Sequence, residues 1–159
     1  MTIAEAKSIG RKKTLAGTSI VVLILLLFLM LVETNGDFAN GILFFIQSIS
    51  NIYFLLALII LFGLTALFAS KAGKEVAIDN KNFVWVSFKY VFIIVLSLYI
   101  FSGLGEMIKQ DISGKENVVW DYFISPLLKI GSIIFFLLLI VWLWAFTELK
   151  NKADAEIKK

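Results

Sequence analysis

Four long apolar blocks occupy most of this 159-residue chain. A helix needs about 20 apolar residues to cross the hydrocarbon core of a bilayer, and each block is close to that length or longer. Only helices and closed barrels can satisfy backbone hydrogen bonds in lipid, and the blocks lack the alternating pattern of barrel strands. The blocks are Leu15–Val32, Gly41–Ala69, Phe83–Leu104 and Tyr122–Phe146. The sequence therefore predicts an all-α polytopic membrane protein with four transmembrane helices.

The polar segments between the blocks are short, so the predicted domain organisation is simple. We expect a basic N-terminal segment at residues 1–14, a four-helix transmembrane domain at 15–146 and a charged tail at 147–159. The hydrophobic fraction of 60% exceeds the ~45–50% of an ordinary soluble domain. The chain between its first and last residues thus offers no stretch for a separate soluble domain.

Basic residues are divided unevenly between the two sides of the predicted bundle. Eleven of the 15 Lys and Arg residues lie in the N-terminal segment, the loop at 70–82 and the tail. The loops at 33–40 and 105–121 hold two. Because cytoplasmic loops carry the excess of basic residues, both termini are predicted to be cytoplasmic. This topology accounts for the net charge of +3, which therefore does not indicate a nucleic-acid partner.

Both ends of the chain carry helix signals. Thr2 and Glu5 fit a capping box, which predicts a short surface helix with Ala6 among the residues facing lipid. The tail is predicted to extend the fourth helix into solvent, stabilised by ion pairs four residues apart. These pairs are Glu148 with Lys152 and Asp154 with Lys158.

Aromatic residues cluster where the blocks end. Trp85 lies at the inner end of the third block, Trp142 and Trp144 at the inner end of the fourth, and Trp120 at its outer end. Tryptophan favours the membrane interface because its ring is amphipathic. Lys89 lies about six residues inside the third block and is expected to extend its charge to the cytoplasmic headgroups. We predict that these five residues anchor the protein in the membrane.

The second block is unusually long for one crossing. Its 29 residues would span about 43 Å as a helix, so it must tilt or break, and the polar stretch at 47–51 is the expected break. Gly63, Ala66 and Ser70 form a strip of small residues that would allow a neighbouring helix to approach closely. No Gly-xxx-Gly motif marks a standard dimer interface.

Lys129 is the most suggestive polar residue because a charge within the bilayer is costly and is often functional. Pro126, just before it, loosens the helix and frees backbone carbonyls. A polar pocket open to the outside would form if Lys129 met Gln47, Ser50, Asn51, Ser102 and Glu106. Alternatively, Lys129 extends to the outer headgroups, pairing with an acid there, and the other polar side chains simply bond neighbouring helices together.

Several kinds of chemistry lack the residues that they need. The chain has no His and no Cys, and its 12 carboxylates lie in the N-terminal segment, in loops, in the tail or at block ends. Proton-driven carriers usually use an acid or His within the membrane, and metal sites usually use His or Cys. No nucleophile–base set is visible. We predict that the protein is not an enzyme and has no metal or cofactor.

Two motifs support a resemblance to a known family. Phe62–Gly63 is followed by Gly73-Lys74-Glu75 and then Val76-Ala77-Ile78-Asp79, and the fourth block begins with Trp120 and Tyr122 before Pro126 and Gly131. This layout resembles the small four-helix membrane subunit of tripartite ATP-independent periplasmic (TRAP) transporters over spans two to four. Glu75 stands where that family has His, and the family's Arg after span one is missing. The resemblance implies a non-catalytic scaffold that packs against a large transport subunit.

The preferred interpretation is an integral accessory subunit of a larger membrane complex, in a bacterial inner (cytoplasmic) membrane. Its expected partners are the lipid bilayer and either a larger membrane protein subunit or further copies of itself, with no nucleic acid. One alternative is a self-contained, homo-oligomeric small transporter or channel with a polar pocket around Lys129. Another is a membrane sensor or immunity protein.

Overall fold

The computed structural model describes residues 1–34, 36–37, 40–43, 46–47, 51–109 and 117–157. Within these ranges the regular structure is helical and contains no strand. The long helices are α1 (Ile3–Glu33), α2 (Ile52–Ala77), α3 (Phe83–Lys109) and α4 (Ser132–Ile157), and two π-helical turns (Trp120–Ile124 and Leu127–Gly131) precede α4. Each of the four long helices contains a segment long and apolar enough to cross a membrane. The predicted fold class is confirmed at this level.

The helices form a four-membered bundle. Each long helix packs against the next one along the chain, and α1 also packs against α4. The amine of Met1 lies 2.6 Å from Glu156 Oε2, so the chain ends meet at one end of the bundle. We call this end, which also holds the turn between α2 and α3, the terminal end. Its predicted cytoplasmic location stays a prediction.

The capping box at the start of α1 is confirmed, but the separate surface helix is not. The Thr2 hydroxyl accepts from the Glu5 amide at 3.2 Å, and the Thr2 amide donates to Glu5 Oε2 at 2.8 Å. From there α1 continues unbroken for 31 residues, about 46 Å. Ala6 is fully buried, so the prediction that it faces lipid is wrong.

The ends of α2 differ from the predicted second block. Asn51 is not helical and α2 begins at Ile52, which agrees with the expected break in the polar stretch. At its other end α2 passes the predicted boundary at Ala69 and continues to Ala77. The connection to α3 is short, and Asn80 takes a left-handed backbone conformation there with φ of 53°.

The tail extends α4, as predicted, but it is not simply a solvated helix. Leu149 and Ala153 are buried, so this extension packs into the terminal end of the bundle. Glu148 pairs with Lys13 of α1 rather than with Lys152, because α1 lies directly alongside. The pair expected between Asp154 and Lys158 lies partly outside the described residues.

Small residues line the contact between α1 and α2. An added Cβ at Gly73 would lie 2.5 Å from the Ala6 carbonyl oxygen, and one at Gly10 would lie 2.9 Å from that of Ala69. Small side chains let backbones approach, which is how helices associate tightly in lipid. This small-residue interface consists of Ala6, Gly10, Thr14 and Thr18 on α1 and Thr65, Ala69 and Gly73 on α2, all of them buried.

The strip of small residues predicted on α2 lies on a different face. Nothing lies within 4 Å of a Cβ added at Gly63, and Ala66 and Ser70 are only partly buried. The prediction of this strip as the close contact is therefore wrong. The close contact of α2 with α1 is made instead by the neighbouring row of Thr65, Ala69 and Gly73, which are spaced four residues apart.

Trp142 is the largest fully buried side chain of the core. Its ring packs between Tyr90, with centroids 6.3 Å apart, and Phe146, with centroids 5.5 Å apart. The prediction that Trp142 anchors the protein at the interface is wrong, because its side chain points into the bundle. Its indole N–H has no partner in the described part of the protein.

Candidate functional site

Only some of the residues of the predicted pocket around Lys129 lie in the described part of the chain. Gln47, Asn51 and Ser102 are exposed, and they line neither of the two cavities described below. Ser50 and the side chains of Lys129 and Glu106 lie outside the described residues. The polar pocket therefore stays a prediction.

The predicted effect of Pro126 on the backbone agrees with the helix geometry around it. A π-helical turn precedes it at Trp120–Ile124 and another follows at Leu127–Gly131, the second containing Lys129. Proline has no N–H, and its ring collides with the carbonyl four residues earlier, so an α-helix must deform at this position. Gly131 then lies against α3, where an added Cβ would come within 2.9 Å of the Tyr99 ring.

Lys89 lies near the terminal end of the bundle, in the first turns of the apolar segment of α3. Its neighbour Tyr90 donates a hydrogen bond from its hydroxyl to Glu75 Oε1 at 2.7 Å. This bond brings the second turn of α3 alongside the charged last turns of α2. Lys89 is exposed there, and its ammonium group lies 4.8 Å from the centroid of the Tyr90 ring. The lysine that the sequence places inside the third block thus joins a charged surface.

A cavity of about 370 Å³ opens beside Lys89. We call it the basic pocket, and it is lined by Glu75, Lys81, Asn82, Trp85, Val86 and Lys89. Helix α2 supplies the carboxylate, the connection supplies Lys81 and Asn82, and the first turns of α3 supply the rest. The pocket exists because α2 continues past its predicted end and lies beside α3.

Hydrogen bonds and ion pairs already occupy both oxygens of the Glu75 carboxylate. Oε1 accepts from the Tyr90 hydroxyl, and Oε2 lies 3.1 Å from Lys81 Nζ. Among the described residues, no carboxylate lies within 4 Å of Lys89 Nζ. Asn82 uses its side-chain oxygen to cap α3, accepting from the Val84 amide at 2.9 Å. Two lysines and one carboxylate leave the pocket with a positive charge.

A second cavity, of about 270 Å³, lies between α3 and the chain around the start of α4. We call it the aromatic groove. It is lined by Phe88, Phe92, Val95, Leu96, Leu127, Gly131, Ser132, Phe135 and Phe136. The rings of Phe88 and Phe135 meet edge to face with centroids 5.4 Å apart. This surface is almost wholly apolar and faces outward from the bundle.

The remaining predicted anchors are exposed. The exposed fraction is 69% for Trp85, 49% for Trp120 and 54% for Trp144, which suits the interfacial role predicted for them. Trp144 also lies under the ammonium group of Lys13, 5.7 Å from the ring centroid. Their contact with a membrane interface stays a prediction.

The basic pocket and the aromatic groove were not among the predicted sites. One available signal was the spacing of Trp85, Phe88, Phe92 and Leu96, which repeats every three to four residues and marks one face of a helix. The contact of Glu75 with Tyr90 had no such signal, since it depends on how α2 and α3 are aligned.

Metal ligands are not grouped in the part of the chain that the structure describes, where no three His, Cys, Asp or Glu side chains come together. Comparison with protein-family models, with curated proteins and with solved structures gave no match.

Proposed function

We propose that this protein is a non-catalytic accessory subunit that packs against a larger membrane protein, in a complex that carries out transport. The four apolar helices support a location in the membrane. The resemblance of residues 62–131 to the small TRAP transporter subunit favours a large transport subunit as the partner. The role would be to position or stabilise that partner through helix contacts.

The filled interior of the terminal half of the bundle is the observation that carries this proposal. Ile94, Leu138, Trp142 and Phe146 are large side chains that are almost completely buried between the helices. A carrier or channel working as a single copy needs a polar path between its helices, and these side chains occupy that space. Interiors packed in this way have few voids larger than a water molecule. The outer surface is then the part of the molecule that can act on something else.

Site-specific photocrosslinking in cells can test for a partner. A photoreactive residue would replace one exposed apolar side chain on each helix, with the fully buried Leu138 as the matched control. The exposed positions are Leu27, Ile59, Phe92 and Ile140. If the protein is an accessory subunit, we expect one discrete, heavier adduct from positions on one or two adjacent helices and no adduct from Leu138. Mass spectrometry of that adduct would identify a larger membrane protein.

A second measurement separates this proposal from a self-contained transporter. The purified chain would be placed in liposomes, and the flux of ions and small solutes would be recorded. If the protein is an accessory subunit, we expect no flux above that of empty liposomes. Flux from this chain alone, reduced by Lys129→Ala and accompanied only by adducts between copies, would contradict the proposal and support a homo-oligomeric carrier.

A further inference from the structure

The basic pocket and the aromatic groove lie on one continuous surface. Trp85 lines the pocket and stacks on Phe88, which lines the groove, with the two ring centroids 5.8 Å apart and the rings nearly parallel. Phe88 stacks in turn on Phe92, with centroids 6.4 Å apart. The surface therefore changes from charged to apolar along α3 as it leaves the terminal end.

The charged end of this surface is suited to a single anion. Lys89 keeps a positive charge that no described carboxylate within 4 Å balances, whereas Glu75 is already bonded to Tyr90 and Lys81. Because Asn82 caps α3 through its oxygen, its amide group stays available as a donor. A phosphate group placed here would meet two ammonium groups and an amide, which are the donors that charge-assisted hydrogen bonds to phosphate use.

The apolar end is suited to a hydrocarbon chain. The groove extends along α3 from Phe88 to Leu96, eight residues or about 12 Å of helix. It begins beside the pocket and runs away from the terminal end, toward the middle of the apolar segment of α3. A molecule that fills both cavities must carry a phosphate at one end and an apolar chain at the other, in the order found in a membrane leaflet.

We propose that an anionic phospholipid binds this surface, with its phosphate in the basic pocket at Lys89 and one acyl chain in the aromatic groove. Trp85 would lie at the junction, beside the glycerol backbone, where tryptophan rings commonly sit in membranes. This inference does not depend on the proposed accessory role, since the lipid contacts only this chain.

Native mass spectrometry of the purified, delipidated protein tests the headgroup. Phosphatidylglycerol and phosphatidylcholine with identical acyl chains would be added separately at equal concentration. We expect phosphatidylglycerol to be retained at least fivefold more strongly, and Lys89→Gln to lower that preference by about fivefold, the usual effect of one basic residue near an anionic lipid surface. Lys89→Arg should preserve it.

Lys71→Gln is the matched control for the charge. Lys71 is exposed near the same end of the bundle and contacts Phe68, but it does not line the pocket. The Lys71→Gln substitution should leave the preference for phosphatidylglycerol unchanged. Equal retention of the two lipids by the unmodified protein would overturn the proposal, as would an equal loss with Lys71→Gln and Lys89→Gln.

A second pair of variants tests the acyl chain. Ser132→Phe places a ring in the groove and should lower retention of both lipids, whereas Ile133→Phe, one residue along and outside the groove, should not. Far-UV circular dichroism would confirm that each variant is folded. Inorganic phosphate should not displace the lipid. Displacement by phosphate alone, or no effect of Ser132→Phe, would show that the groove holds no acyl chain and would overturn the proposal.

Discussion

Replacing Gly73 by Ala adds a single methyl group where α1 and α2 are closest. The new Cβ would lie 2.5 Å from the carbonyl oxygen of Ala6 and 3.2 Å from its carbonyl carbon. Both atoms belong to the backbone, so no side-chain rotation can relieve the collision. Reaching an ordinary contact of 3.4 Å requires the two helices to separate by about 0.9 Å at this point.

Two opposing effects determine how much Gly73→Ala changes the free energy of unfolding. Overpacking of this kind typically costs about 1–3 kcal/mol, and a gap of 0.5–1 Å forfeits roughly a quarter to a half of the dispersion energy of each affected atom pair. Alanine is also a better helix former than glycine, by up to about 1 kcal/mol. We therefore expect Gly73→Ala to lower the free energy of unfolding by about 1–2 kcal/mol.

Gly63→Ala is the matched control, since it is the same substitution in the same helix. Nothing lies within 4 Å of the added Cβ, so the only expected effect is the higher helix propensity of alanine. The free energy of unfolding should therefore be unchanged or higher. Both variants change the unfolded chain in the same way, so that contribution cancels in the comparison. The assay is unfolding by sodium dodecyl sulfate in mixed micelles, followed by far-UV circular dichroism.

We expect Gly73→Ala to lower the free energy of unfolding and Gly63→Ala to leave it unchanged or raise it. If Gly73→Ala and Gly63→Ala had unfolding free energies within about 0.5 kcal/mol of each other, the close approach of α1 and α2 at Gly73 would be refuted. The sequence-based choice of the face at Gly63 would instead be supported if Gly63→Ala alone destabilised the protein.

Two further predictions follow from the packing, and a third follows from the distribution of basic residues. Tyr90→Phe removes a hydrogen bond to a half-buried carboxylate and should cost about 1–2 kcal/mol in the same unfolding assay; no change would show that the bond does not stabilise the fold. Trp142→Ala should cost about 3–5 kcal/mol and Trp144→Ala less than about 1 kcal/mol, because only the first ring is buried; equal losses would contradict that difference. In a chain without natural cysteine, Asp121→Cys should react with an impermeant thiol reagent from outside the cell and Lys71→Cys should not; the reverse pattern would invert the predicted orientation.

Local features of the chain were predicted well because their causes are local. Hydropathy over about 20 residues is enough to identify a helix that is long and apolar enough to cross a membrane, whatever its neighbours are. The capping box depends on Thr2 and Glu5 alone, and the break before Ile52 depends on the polar stretch that precedes it. The distortion around Pro126 likewise follows from one missing N–H and one ring.

Lateral contacts could not be predicted in the same way. In a helix that is apolar on all sides, hydrophobicity does not distinguish the face toward lipid from the face toward protein. Gly63, Ala66 and Ser70 were therefore as plausible a contact strip as the row at Thr65 and Gly73. For the same reason, Trp142 and Trp144 were both predicted to be interfacial anchors, although only Trp144 is exposed.

By itself, the sequence determined that this chain forms long apolar helices, which of its segments are long and apolar enough to cross a membrane, and which connections carry positive charge. Only the tertiary structure decided which faces meet, that α2 continues beside α3, and that Lys89 joins Lys81 next to an aromatic groove. The physical reason is that span location depends on transfer of each segment from water to lipid, whereas helix association depends on shape. Shape complementarity is a property of two helices together, so neither segment encodes it alone.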